Sequence, residues 1–211
     1  FTLATDRETL ADVALGGYAF PATGGFVPPE MPGHSSGIGL PYDPEAARRL
    51  LREAGYPDGQ GFPTVECIAR DDPGHDVICD YLHMQWLENL GIEISWQEIA
   101  WARFPLKMAD DLPNLWMVGY WADYPDPDDY LRVMWWLPPA WRHEVYARLV
   151  EDARRAMVQE ERMRLYQQAD RILVEEAPVL PLCYARFHML VKPWVKRYLT
   201  SPLRWWYWKD V

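Results

Sequence analysis

"TVECIARDDPGHDVICDYLHMQWLENLGIEISWQEI", residues 64–99, is the stretch that decides the expected fold. Both of its ends alternate apolar and polar residues in the manner of a strand. Its centre carries an apolar stripe at helical spacing, and Gly91 is placed to end that helix. The stripe consists of Ile78, Leu82, Trp86 and Leu90. A strand, a helix and a second strand in this order predict an α/β unit with at least partly parallel pairing.

Two helices are predicted on the N-terminal side of this unit. The segment 43–59, "DPEAARRLLREAGYPDG", has Asp43 as N-cap and Gly55 as the residue that ends the helix. The segment 4–15 has Asp6 as N-cap, and its apolar face is expected to be Leu10, Val13 and Ala14. The Gly- and Pro-rich stretch between the two helices predicts an extended surface loop.

The C-terminal side continues the α/β pattern. Residues 101–111 predict a short helix and residues 114–121, "NLWMVGYW", a buried third strand. An Asp/Pro segment then leads into an aromatic helix that is expected to run through Trp135. Two long amphipathic helices follow in 143–157 and 160–178, and "VLPLCYARFHMLVKPWV" predicts one or two strands before a Trp-rich tail.

The amino-acid composition and the absence of certain motifs argue against several functional classes. Asp and Glu outnumber Lys and Arg by 31 to 21, which gives a formal net charge of -10 and argues against nucleic-acid binding. No apolar run is long enough to span a membrane, and no signal peptide is visible at the start of the chain. The chain also lacks P-loop, GxSxG, HExxH and CxxC motifs, so neither a cofactor nor a catalytic centre is indicated.

The carboxylates of "VGYWADYPDPDDYLRVMWW", residues 118–136, could suggest a metal or catalytic site. Their spacing does not fit a calcium loop, and a glycosidase needs two carboxylates on facing walls of a cleft. We interpret Asp126 or Asp128 as the cap of a helix that begins near Asp129. Asp123 differs because it is expected to follow the apolar strand directly, at the edge where α/β sheets bind ligands.

A metal site is a weaker alternative. His75, Cys79 and His83 recur every four residues and would form one stripe on the predicted helix. The sequence provides no second cluster of His or Cys to complete the ligand set. Cys79 also lies beside the apolar stripe, where a small core residue is expected.

Five segments, in order, resemble the second half of a family 5 extracellular solute-binding protein of ABC importers. The N-terminal helix and "GGYAFPATGGFVPP" are similar to the family's "AIDR" helix and "GxAxPAxxxxPP", and "YDPEAARRLLREAGYPDG" to its "YDPExAkxLLxEAGyxdG". "GYWADYPDPDDYL" resembles "gWxaDypDPdnfl". "RMRLYQQADRILVEEAPVLPLCYA" resembles "R..lY..aq.il.edaP.iPLyy", and "VKPWVKRY" resembles the final return segment.

The resemblance implies a type II periplasmic-binding-protein-like lobe, an α/β fold with a mixed sheet flanked by helices. Residues 1–177 would form lobe two, and residues 178–211 would form hinge strands and a C-terminal segment that returns to lobe one. The N-terminal lobe would be absent from this chain. The resemblance implies a receptor and not an enzyme, without a cofactor.

In peptide-binding members, the aspartate of the "aDY" element pairs with the ammonium group of the peptide, and Asp123 takes that position here. Tyr120 stands where the family more often has Trp, and Trp121 and Tyr124 flank the aspartate as further ligand-binding candidates. The implied partners are a peptide or other small solute, the missing lobe and a membrane permease. The implied location is extracytoplasmic.

Two other functions stay open on the sequence. A solute-binding half without a visible export signal could be the sensing module of a multidomain cytoplasmic regulator. A metal-dependent enzyme would use the stripe of His75, Cys79 and His83. Without lobe one, the aromatic side chains of the Trp-rich tail would be exposed, so the tail is expected to fold back or to cause self-association. The aromatic residues of the tail are Trp205, Trp206, Tyr207 and Trp208.

Overall fold

The computed structural model describes residues 1–110, 112–132 and 141–196. The described chain forms two compact units. Unit 1 consists of Phe1–Pro21 and Leu40–Tyr120, and unit 2 consists of Ala22–Gly39 and the described part of Trp121–Val211. The chain therefore passes from one unit to the other three times.

The elements of unit 1 alternate between strands and helices. Its helices are α1 (Arg7–Thr9), α2 (Pro44–Glu53), α3 (His75–Leu90) and α4 (Phe104–Asp110). Its strands are β1 (Ala19–Pro21), β2 (Glu66–Arg70), β3 (Ser95–Ile99) and β4 (Leu115–Met117). Short 3-10 turns occupy Thr2–Ala4 and Pro57–Gly59. Unit 2 contains α5 (Pro127–Leu131), α6 (Glu144–Arg155), α7 (Gln159–Glu176) and β5 (Cys183–Ala185).

The predicted α/β unit is confirmed. Strand β2 lies between β3 and β4 and pairs with both in parallel, with Cys67 opposite Trp96 on one side and Leu115 on the other. Helix α3 connects β2 to β3 and ends at Gly91, whose φ of 67° is the left-handed conformation that glycine adopts most easily. All four residues of the predicted stripe on α3 are buried.

The helix predicted near the N-terminus forms, but its buried face differs from the expected one. The Asp6 side chain accepts hydrogen bonds from the backbone amides of Glu8 and Thr9, as an N-cap should. After α1 the chain continues as a π-helical turn over Leu10–Ala14. The wider turn buries Leu10 and Ala11 and leaves Val13 73% exposed, so the prediction that Val13 lies on the apolar face was wrong.

The Gly- and Pro-rich stretch 16–43 was predicted as an extended surface loop, but it contains the short strand β1, and its irregular segment 22–39 is only partly on the surface. Ala22 and Val27 are fully buried in unit 2. The Phe26 amide donates a hydrogen bond of 2.7 Å to Oδ1 of Asp170 on α7, and the Tyr184 hydroxyl donates one of 2.6 Å to the Gly25 carbonyl. These long-range contacts, which local sequence rules do not detect, fold the segment against α7.

Gly25 has no room for a side chain. A Cβ atom at this position would overlap the carboxyl group of Asp170, which is fully buried. We expect Gly25→Ala to lower the free energy of unfolding by about 2 kcal/mol or more, as overpacking in a closed core does. Urea unfolding followed by circular dichroism would measure this change.

Gly119→Ala is the matched control, because the nearest atom to its Cβ would be the His75 Nε2 atom at 4.0 Å. Its stability should stay within about 0.5 kcal/mol of the parent value. Equal urea midpoints for the two variants would contradict the steric argument.

The third strand is shorter than predicted. Strand β4 ends at Met117, whereas the sequence predicted a strand through Trp121. Its partner β2 ends at Arg70, and Ala69 is the last residue of β2 paired with β4. A strand cannot continue its ladder beyond the end of its partner, so β2 leaves room for at most one further paired residue, and a ladder through Trp121 is excluded.

The C-terminal predictions are only partly covered by the described residues. Both long amphipathic helices form, as α6 and α7, and the described part of 179–196 contains one strand, β5. Helix α5 ends at Leu131, and the remainder of the predicted aromatic helix, with Trp135, lies outside the described residues. The Trp-rich tail also lies outside them. No helix in the described ranges has the length and apolarity required to cross a membrane.

Candidate functional site

Asp123 lies in a bend between β4 and α5, six residues after the last residue of β4. The sequence placed it directly after the strand, and this placement was wrong because β4 ends early. Its side chain is exposed. Among the described residues, no Lys or Arg forms an ion pair with it, so its carboxylate can accept a cation from solution.

Of the two predicted caps, Asp126 and Asp128, the structure has Asp126, and the helix begins at Pro127, two residues earlier than predicted. The Oδ1 atom of Asp126 accepts a hydrogen bond of 2.9 Å from the Asp128 amide at the start of α5. The same carboxylate accepts two hydrogen bonds from Arg162 on α7, at 2.6 and 2.7 Å. A bidentate guanidinium–carboxylate pair is strong and directional. It joins the start of α5 to α7.

Asp128 has a structural role and is unavailable to a ligand. It is only 7% exposed and accepts hydrogen bonds from Tyr124, Arg132 and Tyr166 at 2.7–2.9 Å. Burial alone would raise its pKa, but the three donors outweigh burial and hold the pKa below its usual value. The carboxylate therefore stays ionised and supports α5 from inside unit 2.

Asp129 connects this network to Asp123. Its side chain is 1% exposed, and its Oδ2 atom accepts a hydrogen bond of 2.9 Å from the Asp123 amide. The Asp/Pro segment is thus held by three buried or half-buried carboxylates of its own. Asp123 is the one aspartate of the four whose side chain points to solvent.

The neighbouring aromatic residues differ in which part of the side chain is accessible to a ligand. Trp121 is 39% exposed, and its ring centre lies 4.9 Å from that of Phe187. The Tyr124 hydroxyl donates to Asp128 and accepts from Arg132, so only its ring is available to a ligand. Tyr120 is the last residue of unit 1 and is partly exposed. Partly exposed rings can stack on flat ligand groups with little loss of side-chain entropy.

The carboxyl ends of the parallel strands in unit 1 carry a second group of polar and aromatic side chains. Arg70 ends β2, forms an ion pair with Asp72, and has its guanidinium carbon 4.8 Å from the centre of the Trp101 ring. Open α/β sheets bind ligands at this edge, and a guanidinium suits a carboxylate. Arg70 was not among the predicted site residues, although an arginine that ends a strand of a parallel unit is a usable signal.

The residues of the suggested metal stripe have other partners. The Nδ1 atom of His75 lies 2.8 Å from the Arg70 carbonyl oxygen, and that of His83 lies 2.5 Å from the Ile94 carbonyl oxygen. Cys79 is 4% exposed, and burial raises the pKa of its thiol to about 12. Over the described ranges, no three His, Cys, Asp or Glu side chains are grouped so as to hold a metal ion.

Comparisons with known proteins agree with this architecture. The family model "Bacterial extracellular solute-binding proteins, family 5 Middle" matches residues 1–137. Di/tripeptide-binding protein 4 of Pseudomonas aeruginosa (strain UCBPP-PA14) is 28% identical over 211 residues, which covers 93% of this chain and 39% of that protein. Heme-binding protein A of Haemophilus influenzae is 27% identical over 171 residues, which covers 77% of this chain and 31% of that protein.

Solved structures show the same fold. A periplasmic oligopeptide-binding protein from Borrelia burgdorferi superposes with a TM-score of 0.80 at 22% identity, over 87% of this chain and 38% of that one. The murein tripeptide binding protein of Escherichia coli gives a TM-score of 0.77 at 22% identity, over 96% of this chain and 41% of that one. The predicted periplasmic-binding-protein-like α/β fold is confirmed. The chain spans about two fifths of the length of the curated di/tripeptide-binding relative.

Proposed function

The chain belongs to family 5 of the bacterial extracellular solute-binding proteins, and we propose that it forms part of an ABC importer receptor whose solute is a short peptide. The names of its relatives support this solute class, because several are described as di/tripeptide-binding proteins. A receptor binds and releases its solute unchanged. We therefore assign no catalytic residue and no cofactor.

The observation that carries the proposal is the exposed carboxylate of Asp123 on a fixed turn. The ammonium group of a peptide that leaves water needs a negatively charged partner, because an unpaired buried charge is very costly. Asp123 offers such a partner, and among the described residues it has no competing Lys or Arg. The turn that carries Asp123 is held to α7 through the two hydrogen bonds between Asp126 and Arg162.

Tyr120, Trp121 and Tyr124 complete the proposed site. Tyr120 and Trp121 are partly exposed and precede Asp123 by three and two residues. Tyr124 contributes its ring face, since its hydroxyl is bound to Asp128. Rings in these positions would cover the peptide backbone beside its ammonium group and exclude water, which strengthens the ion pair.

The family and the share of its relatives that this chain covers support the proposed architecture. Residues 1–177 form lobe two, residues 178–211 form the hinge strands and the return segment, and a second lobe outside this chain closes over the solute. The closed receptor then docks on the membrane permease. The site of action is extracytoplasmic.

Calorimetry on the complete gene product tests the proposal. A free dipeptide should bind at least about thirty times more tightly than the same dipeptide with an acetylated amino group, because acetylation removes the charge that Asp123 neutralises. Equal affinities would rule out the ammonium role of Asp123. Haemin, suggested by the name of one relative, is the competing solute, and binding of haemin without any binding of peptides would overturn the peptide class.

A further inference from the structure

The buried carboxylate of Asp129 holds the backbone of Asp123 from inside unit 2. Asp129 is the third residue of α5 and is 1% exposed, and its Oδ2 atom lies 2.9 Å from the Asp123 nitrogen. Neither the peptide-binding role proposed above nor the capping role of Asp126 requires this contact. A buried carboxylate directed at the backbone of the proposed ligand-binding residue therefore needs its own explanation.

We infer that Asp129 is a positioning residue, which orients Asp123 toward the ammonium group of the solute. An amide whose N–H is held by a hydrogen bond has a fixed peptide plane and N–Cα bond, so only rotation about φ can still change the direction of the Cα–Cβ bond. The Asp123 amide points inward to Asp129, and the Asp123 side chain lies on the exposed side of the turn. A carboxylate held in its binding orientation loses less entropy when the solute arrives.

The supports around Asp129 make this orientation rigid. Asp126 is bound by Arg162 through two hydrogen bonds, and Asp128 is bound by Tyr166 of the same helix α7. The N-terminal end of α5 is therefore held by α7 independently of the hydrogen bond between Asp129 and the Asp123 amide. Without the hydrogen bond from the Asp123 amide to Asp129, the bend at 121–126 would still be held at Asp126 but no longer at Asp123.

The inference rests on the proposed function, and its test separates the two. The measured quantity is the ratio of the dissociation constants of an N-acetylated and a free dipeptide, determined by calorimetry on the complete gene product. In Asp129→Ala this ratio should fall about tenfold, while the affinity for the acetylated dipeptide stays within about twofold. Asp129→Asn, which retains a hydrogen-bond acceptor, should keep the parent ratio within about threefold.

Each result has a distinct meaning. If the parent protein shows no difference between the two peptides, the proposed function fails; if Asp129→Ala keeps the parent ratio, the positioning role fails. A parallel loss of affinity for both peptides would show a merely structural role and would also overturn the inference. Asp152→Ala, on the exposed surface of α6, is the control for the loss of one negative charge.

A second measurement does not depend on the folding of any variant. The Asp123 amide of the parent protein should exchange its hydrogen with solvent at least about tenfold more slowly than an unprotected amide, because it donates a hydrogen bond to a buried acceptor. Nuclear magnetic resonance on the labelled protein measures this rate. Exchange at the unprotected rate would overturn the inference.

Discussion

Asp123→Ala is expected to weaken the binding of a free dipeptide by about 3 kcal/mol, which is more than a hundredfold in the dissociation constant. The variant removes the one partner of an ammonium group that has left water, so the loss includes the cost of an unpaired charge. The affinity for the N-acetylated dipeptide should change little, because that ligand brings no ammonium group. Calorimetry with both peptides on both proteins would give a complete thermodynamic cycle.

The coupling free energy of that cycle is the decisive number. A value of about 2–3 kcal/mol would assign the ion pair to Asp123 and the amino group. A value near zero would mean that the two groups do not meet, even if Asp123→Ala binds less tightly. Asp80→Ala removes an exposed carboxylate from α3 in unit 1 and should bind both peptides as the parent does.

Asp170, whose carboxyl group holds the segment 22–39, is expected to make the stability of the protein strongly dependent on pH. Asp170 is fully buried, and its Oδ2 atom accepts no hydrogen bond within the described residues. Burial raises its pKa from 3.8 to about 7, against the opposing effect of the amides of Phe26 and Val27. Tyr146, which also faces Asp170, offers no positive charge; burial and then the charge of Asp170 raise its pKa as well.

The raised pKa makes the stability contribution of Asp170 depend on pH in one direction. Below pH 3.8, Asp170 is protonated in the folded and the unfolded chain, and its contribution is fully present. Between pH 3.8 and about 7, the unfolded chain releases the proton and the folded chain keeps it, so stability falls as the pH rises. The loss, complete above about pH 7, is on the order of 4 kcal/mol.

Asp170→Asn removes this titration and keeps the shape of the side chain. Its free energy of unfolding should match the parent value near pH 4 and should exceed it at pH 8 by an amount on the order of 4 kcal/mol. Urea unfolding at a series of pH values measures the difference. Parallel pH curves for the two proteins would show that Asp170 does not titrate in this range, and Asp152→Asn should follow the parent curve.

The elements predicted correctly are those that local chemistry determines. Asp43 and Asp6 accept backbone hydrogen bonds as N-caps, and Gly91 ends α3 with a positive φ. The apolar stripe of α3 and the alternation on either side of it also reflect contacts within one α/β unit. Such signals depend on residues a few positions apart, so the sequence displays them directly.

The predictions that failed depend on distant parts of the chain. Strand β4 ends at Met117, within one residue of the end of its partner β2, and no residue of "NLWMVGYW" signals that limit. Part of the segment 22–39 is buried against Asp170, which is 144 residues away from Phe26. In α7, Asp170 has the appearance of an ordinary polar residue on a helix surface, and only the folded chain shows its environment.

In the candidate site, too, local features were predictable from the sequence and long-range contacts were not. The cap at Asp126 was predictable from the Asp/Pro pattern, whereas its partner Arg162 is supplied by a helix far along the chain. The burial of Asp129 and the position of Arg70 beside Trp101 likewise depend on how the elements pack. The resemblance to the family selected Asp123 among four aspartates, and the contacts show why the other three are unavailable.

The long separation between Phe26 and Asp170 also affects how the protein is made. A ribosome adds roughly 5–20 residues per second, so Phe26 is added roughly 7–29 s before Asp170, which follows 144 residues later. During this interval Ala22 and Val27 cannot reach their buried positions, because the helix that covers the segment has not been synthesised. Unit 2 can therefore complete its core only after α7 has been synthesised, and the segment 22–39 lacks its buried contacts until then.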